Sequence, residues 1–198
     1  MSFSLGNRSI PTLFDQRKTA AAAAFLLDAA GGRVEYIRLL KLLYLADREA
    51  WNCFGRPITG DNYVSMDQGP VLSRTYDLIK NEGTDDEATS ARRPWDQAIE
   101  RADRYNVKLR SAVDLGPLSE AETDILGAVH NRWRRVPTWD LIELLHRELP
   151  EWTNPKGSCM EITPSDILTA LGKGDEEVAA IAKDQLEQCN SDNAIGVH

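Results

Sequence analysis

Between Val34 and Phe54 the chain carries a helix-forming run whose polar residues collect on one narrow stripe. On a wheel of about 100° per residue, Arg38, Lys41, Arg48 and Asn52 share that stripe, while Leu40, Leu43, Tyr44, Ala50, Trp51 and Phe54 spread around the rest. A surface helix needs an apolar face only about 100° wide. This one must be covered on most of its circumference, so it is expected to be the central helix of the fold. Asp47 lies opposite the polar stripe, among Leu40, Leu43, Trp51 and Phe54. A bare carboxylate in that position would cost several kcal/mol. It must therefore be paired or accept backbone N–H groups. Tyr63, Arg74 and the N–H groups near Val71 are the candidate donors, which makes Asp47 an internal strut. A general acid or base with a raised pKa is the competing reading. No second chemical group stands nearby in sequence, so the strut is preferred.

The flanking segments predict a helical body with a small β element. Phe14–Ala30 has Ala22, Phe25, Leu26 and Ala29 at helical spacing and ends at Gly31-Gly32. Gly55 closes the central helix. Pro57–Ser65 is extended, with a turn at Gly60. Gly69-Pro70 is expected to open a third helix, because proline suits the first helical position, and Gly83 to end it. Residues 84–94 form a polar loop without periodicity, expected to be mobile. Arg104–Arg110 alternates Tyr105, Val107 and Leu109 with polar neighbours, as a half-buried strand does, and its expected partner is the segment near Tyr63. Ser119 and Glu122 form a capping box that opens a helix to about Arg134. Thr138 caps the next helix, which packs Leu141, Ile142, Leu145 and Leu149. Thr163-Pro164 starts a short helix through Leu171, and Asp175 opens the last, with Val178, Ala182, Leu186 and Cys189 on one face. The fold class is thus mainly α: one compact domain over 14–189, carrying a two- or three-stranded antiparallel element. Residues 1–13 are a loose lead-in and 190–198 a patternless tail, expected to be disordered.

The 198 residues, 42% of them hydrophobic, suffice for one core without a metal or disulfide. Cys53, Cys159 and Cys189 are odd in number and lack CxxC spacing, as in a cytoplasmic protein with reduced thiols. No apolar run approaches the ~18 residues of a membrane span, and MSFSLGNRS has no secretory pattern. A net charge of −8 argues against general nucleic-acid binding. The basic, aromatic run Asn131–Arg135 is the best nucleic-acid candidate; its simpler role is a helix C-terminus whose cations complement the dipole. His130 and His146 lack partners at metal-binding spacing on their own helices, and His198 ends a polar tail. No P-loop, G-x-G-x-x-G, G-x-S-x-G or H-E-x-x-H motif occurs. No catalytic residue, cofactor or metal is therefore expected, and an enzyme using Asp47 or Cys159 has the least support.

One ordered set of residues is distinctive: Lys41-Leu42-Leu43-Tyr44-Leu45-Ala46-Asp47, then Gly55-x-Pro57-Ile58, Gly60-Asp61-x-Tyr63 and Gly69-Pro70-Val71. It resembles the Panacea domain, also called SocA-like, of bacterial and phage antitoxins. The later part agrees, with a helix through His146, then Leu149-Pro150-Glu151-Trp152, Ile162 and the Ile167-Leu168 helix before Gly172. Met66 departs from the small residue common before the Gly-Pro-Val piece. The resemblance implies a mainly helical domain that binds and neutralises a toxin encoded beside it. In the SocA branch it also implies a proteolytic adaptor that delivers the toxin to the ClpXP protease. The motif carries no catalytic group, so Lys41, Tyr44, Asp47, Gly55, Asp61, Tyr63, Gly69, Pro70 and Trp152 are expected to be structural. The alternative is a DNA-binding regulator of its own operon, using the Arg132–Arg135 end.

Overall fold

The computed structural model describes residues 10–80, 93–112 and 114–195. Helix α1 (Gln16–Ala29) starts at an N-cap, Asp15, whose side chain accepts from Lys18 N–H. It stops where Gly31 and Gly32 take φ of 90° and 86°. Strand β1 (Arg33–Glu35) follows, and the central helix α2 runs from Tyr36 to Phe54. The sequence places the start of α2 at Val34. The correction is that Val34 and Glu35 belong to β1 and pair with Val107 and Asn106.

A second correction concerns Gly69-Pro70. These residues lie in strand β3 (Gly69–Leu72), paired with β2 (Tyr63–Met66), and helix α3 begins only at Ser73 and runs to Lys80. Proline's lack of an N–H suits the edge of a sheet as well as a helix start; here Pro70 sits on the edge strand, opposite Ser65. Gly83 and most of the 84–94 segment lie outside the described residues. Helix α4 (Pro94–Ala98) leads into β4 (Ile99–Arg101) and β5 (Asn106–Leu109). The strand expected at 104–110 exists, but its partners are β1 and β4, giving an antiparallel sheet of order β1-β5-β4. The segment near Tyr63 pairs instead with β3 and with β6 (Met160–Ile162), in the order β3-β2-β6.

The capping box at Ser119/Glu122 opens α5 (Glu120–Trp133), and Glu122 also binds Lys18 at 2.6 Å, joining α5 to α1. Helix α6 spans Thr138–Glu148; Pro137, not Thr138, is its cap residue, and no side chain caps it. Helix α7 (Pro164–Ala170) begins with a capping box of Thr163 and Asp166. Helix α8 (Asp175–Ile195) continues through 190–195, where no pattern announces it, and Ile10 of the lead-in is buried. Cys189 is buried on α8, while Leu186 of the same expected face is exposed. Leu39, Leu43, Tyr44 and Trp51 of α2 meet Leu26 and Leu27 of α1, Leu126 of α5, Leu145 of α6 and Ile167 of α7 in one core. No described helix is long and apolar enough to cross a membrane.

Candidate functional site

The residues that stand out in the sequence converge where α2 faces the β3-β2-β6 sheet. Asp47 is fully buried. One carboxylate oxygen accepts the N–H groups of Ile58 (2.9 Å) and Thr59 (3.0 Å); the other accepts the hydroxyls of Thr59 and Tyr63, the latter at 3.0 Å. Trp51 Nε1–H in turn donates to the Tyr63 oxygen at 3.1 Å. Burial pushes the Asp47 carboxyl up to about 6, against the pull of its bonds to Thr59, Tyr63 and Ile58. The same burial, with the Asp47 charge, drives the Tyr63 phenol well above its ordinary range. Asp47 is hydrogen-bonded through both oxygens, by donors that only partly match those expected. Tyr63 is used, but Val71 and Arg74 are not, because the chain at Ile58-Thr59 crosses the helix first.

Asp61 takes the role predicted for Asp47. Its carboxylate accepts the N–H groups of Arg74 (3.0 Å) and Thr75 (2.9 Å) and the Thr75 hydroxyl (2.7 Å), at the start of α3. A cap reaching across the hairpin replaces the missing local one. Gly60 between the two carboxylate-bound stretches has φ 67°, and a Cβ there would lie 2.0 Å from the Leu13 carbonyl oxygen. Only glycine fits that approach.

Lys41 departs most from expectation. The wheel puts it on the polar stripe, yet its side chain is fully buried and its ammonium donates to Pro70 O at 2.7 Å. The β2–β3 hairpin covers that edge of the stripe, and the long stem carries the nitrogen to a backbone acceptor. Burial pulls its pKa down to about 7. Gly69, at φ 93°, leaves room for this arrangement; a Cβ would come within 3.3 Å of Lys41 Nζ and 3.4 Å of His146 Nε2. His146 stacks flat on Trp152, with centroids 3.9 Å apart and planes 7° from parallel. Trp152 Nε1–H donates to Met66 O at 3.1 Å. Glu151 accepts from Tyr44 OH (2.9 Å) and Arg48 Nε (2.7 Å) on one oxygen. Gly55 caps α2 at φ 63°, with Ile181 of α8 against it.

A match to the family described as Antitoxin SocA-like, Panacea domain covers residues 39–153. The chain belongs to that family. No curated protein and no solved structure gives a significant match. Within the Panacea match fall the Asp47 knot, the Asp61 cap, the Lys41–Pro70 contact and the Trp152 stack. Family membership supports an antitoxin-type role.

Sequence reasoning missed Thr59, Thr75 and His146 as members of these networks. Thr59 stands in the loop two residues before Asp61, where a search for hydroxyls near a buried acid would have found it; Thr75 lies in the first turn of α3, fourteen residues from Asp61, and no local signal joins them. Nothing local marks His146, since its partner is a tryptophan from the following loop. At the basic end of α5, Arg132 lies over the Trp133 ring at 4.8 Å, and Arg38 binds the carbonyls of Trp133 and Val136 at 2.6 and 2.7 Å. The free carbonyls of this helix C-terminus are thus met by a cation from α2, not by the arginines of the run itself. Among the described residues, no group of His, Cys, Asp and Glu is arranged to hold a metal ion.

Proposed function

We propose that this cytoplasmic protein is a non-catalytic antitoxin that binds and neutralises a cognate toxin protein, and that it serves as an adaptor presenting the toxin to ClpXP. The observation that carries this reading is the Panacea match over 39–153. The geometry agrees with a binding scaffold. Asp47 and Asp61, the two buried acids of the motif, have their oxygens filled by protein donors, so neither is poised to attack or to accept a substrate proton. With a net charge of −8, the chain suits a basic partner, because complementary fields speed encounter and select partners.

Co-expression with the neighbouring gene product tests the first part. The toxin should co-purify, and growth should be restored only when both are made. Independent behaviour of the two proteins would remove the antitoxin reading. For the adaptor, the toxin's half-life should lengthen several-fold on deletion of this protein or of ClpX; an unchanged half-life leaves a sequestering antitoxin.

A further inference from the structure

An open hollow of about 470 Å³ lies between α2, α5 and α6. Its floor is apolar: Leu45 is half-buried, and Val129, Leu149 and Trp133 keep 7%, 6% and 8% of their surface exposed. Ala128 stands exposed in the lining and fills little of the space. Helical residues and the Leu149 cap make up the walls, and no strand edge contributes. An occupant must therefore be held by side chains, which excludes strand addition and favours a helix lying in the groove.

The rim has a sign. Glu49, Asp124 and Glu148 are exposed, and none forms an ion pair among the described residues. Of the two cations in the lining, Arg48 is bound to Glu151 at 2.7 Å, outside the hollow, and the Arg132 guanidinium lies over the ring of Trp133, which is part of the floor. Three carboxylates without an ion-pair partner, against the one guanidinium of Arg132, leave the rim net negative around an apolar floor, which calls for cations flanking an apolar ridge. We infer that this hollow is the docking groove for the toxin, and that it takes an amphipathic helix with apolar anchors at i, i+3 or i+4, and i+7 and Lys or Arg on its flanks. The inference rests on the antitoxin reading and adds the surface and the chemistry of the partner segment.

The test measures toxin affinity for the full chain and for Ala128→Trp, which places an indole in the hollow from an exposed helix position. Ala180→Trp, exposed on α8, is the control. The unfolding curve should be unchanged in both. Ala128→Trp should weaken toxin binding at least tenfold, and Ala180→Trp should not. The triple reversal Glu49→Lys, Asp124→Lys, Glu148→Lys should slow association and remove most of its salt dependence. If wild type and Ala128→Trp bind equally, the groove inference is overturned and the antitoxin reading stands. If wild type does not bind the toxin, both fall. If Ala128→Trp instead converts a dimer to a monomer with toxin binding untouched, the hollow belongs to a second copy of this chain and the inference is wrong.

Discussion

Asp47 and Glu49 stand two residues apart on α2, and their carboxylates meet opposite conditions. Asp47 points into the hairpin, where backbone and hydroxyl donors occupy both of its oxygens. Glu49 lies exposed on the rim of the groove, where it accepts from the Cys53 thiol at 3.5 Å and forms no ion pair among the described residues. The difference shows what the motif encodes. Residues on the hairpin side are fixed by what folding requires of buried polar groups. The groove side meets no such requirement and is free to be shaped by a partner. Substitutions on the two sides should therefore separate stability from binding.

The largest effect is expected at Asp47. Asp47→Ala strands the N–H groups of Ile58 and Thr59 and two hydroxyls, at about 1–3 kcal/mol for each group left unmet. Partial relaxation brings the total to about 3–5 kcal/mol. For a chain of this size that lowers Tm by roughly 10 °C or more, as calorimetry would register. Asp61→Ala comes next. It uncaps α3 and frees the Thr75 hydroxyl, for about 2 kcal/mol in denaturant titration.

Lys41→Met has its main effect on pH dependence. The folded chain holds the Lys41 proton less tightly than the unfolded chain, with a pKa near 7 against the ordinary 10.5. Stability should thus rise as pH goes from about 7 to 10.5, with the full cost of the buried charge present below 7. Lys41→Met should remove that rise and leave stability at neutral pH equal or higher. Asp47 has the opposite sign: its pKa near 6, against 3.8, makes stability fall as pH rises from about 4 to 6. Asp47→Asn should abolish that fall. The smallest effect belongs to the rim, where Glu49→Ala and Glu148→Ala should change stability by no more than about 0.5 kcal/mol.

Much of this was legible in the chain itself. The narrow stripe on α2 reveals a covered central helix, and an acid opposite it must be bonded. The capping signals at Ser119 and Thr163 locate helix starts to the residue, because a cap is a local contract between neighbours in sequence. Pairings that depend on distant partners were not legible. Arg104–Arg110 announces a strand, but which strand lies beside it depends on where α2 ends up. Pro70 satisfies the rules for a helix start and for an edge strand alike, and the tie is broken by Tyr63–Met66 lying alongside. Lys41 looks solvated on a wheel that cannot know the hairpin folds over it. The groove was equally hidden, since its floor comes from α2, α5 and α6 together.

The most direct test of the motif as scaffold is a paired measurement on Asp47→Asn, which keeps the side chain's shape and one acceptor. Thermal unfolding and toxin neutralisation are measured on the same preparation, the latter well below the transition. The expected result is a Tm several degrees lower with neutralisation per folded molecule equal to wild type. An unchanged Tm with neutralisation abolished would contradict the account and make Asp47 a functional group.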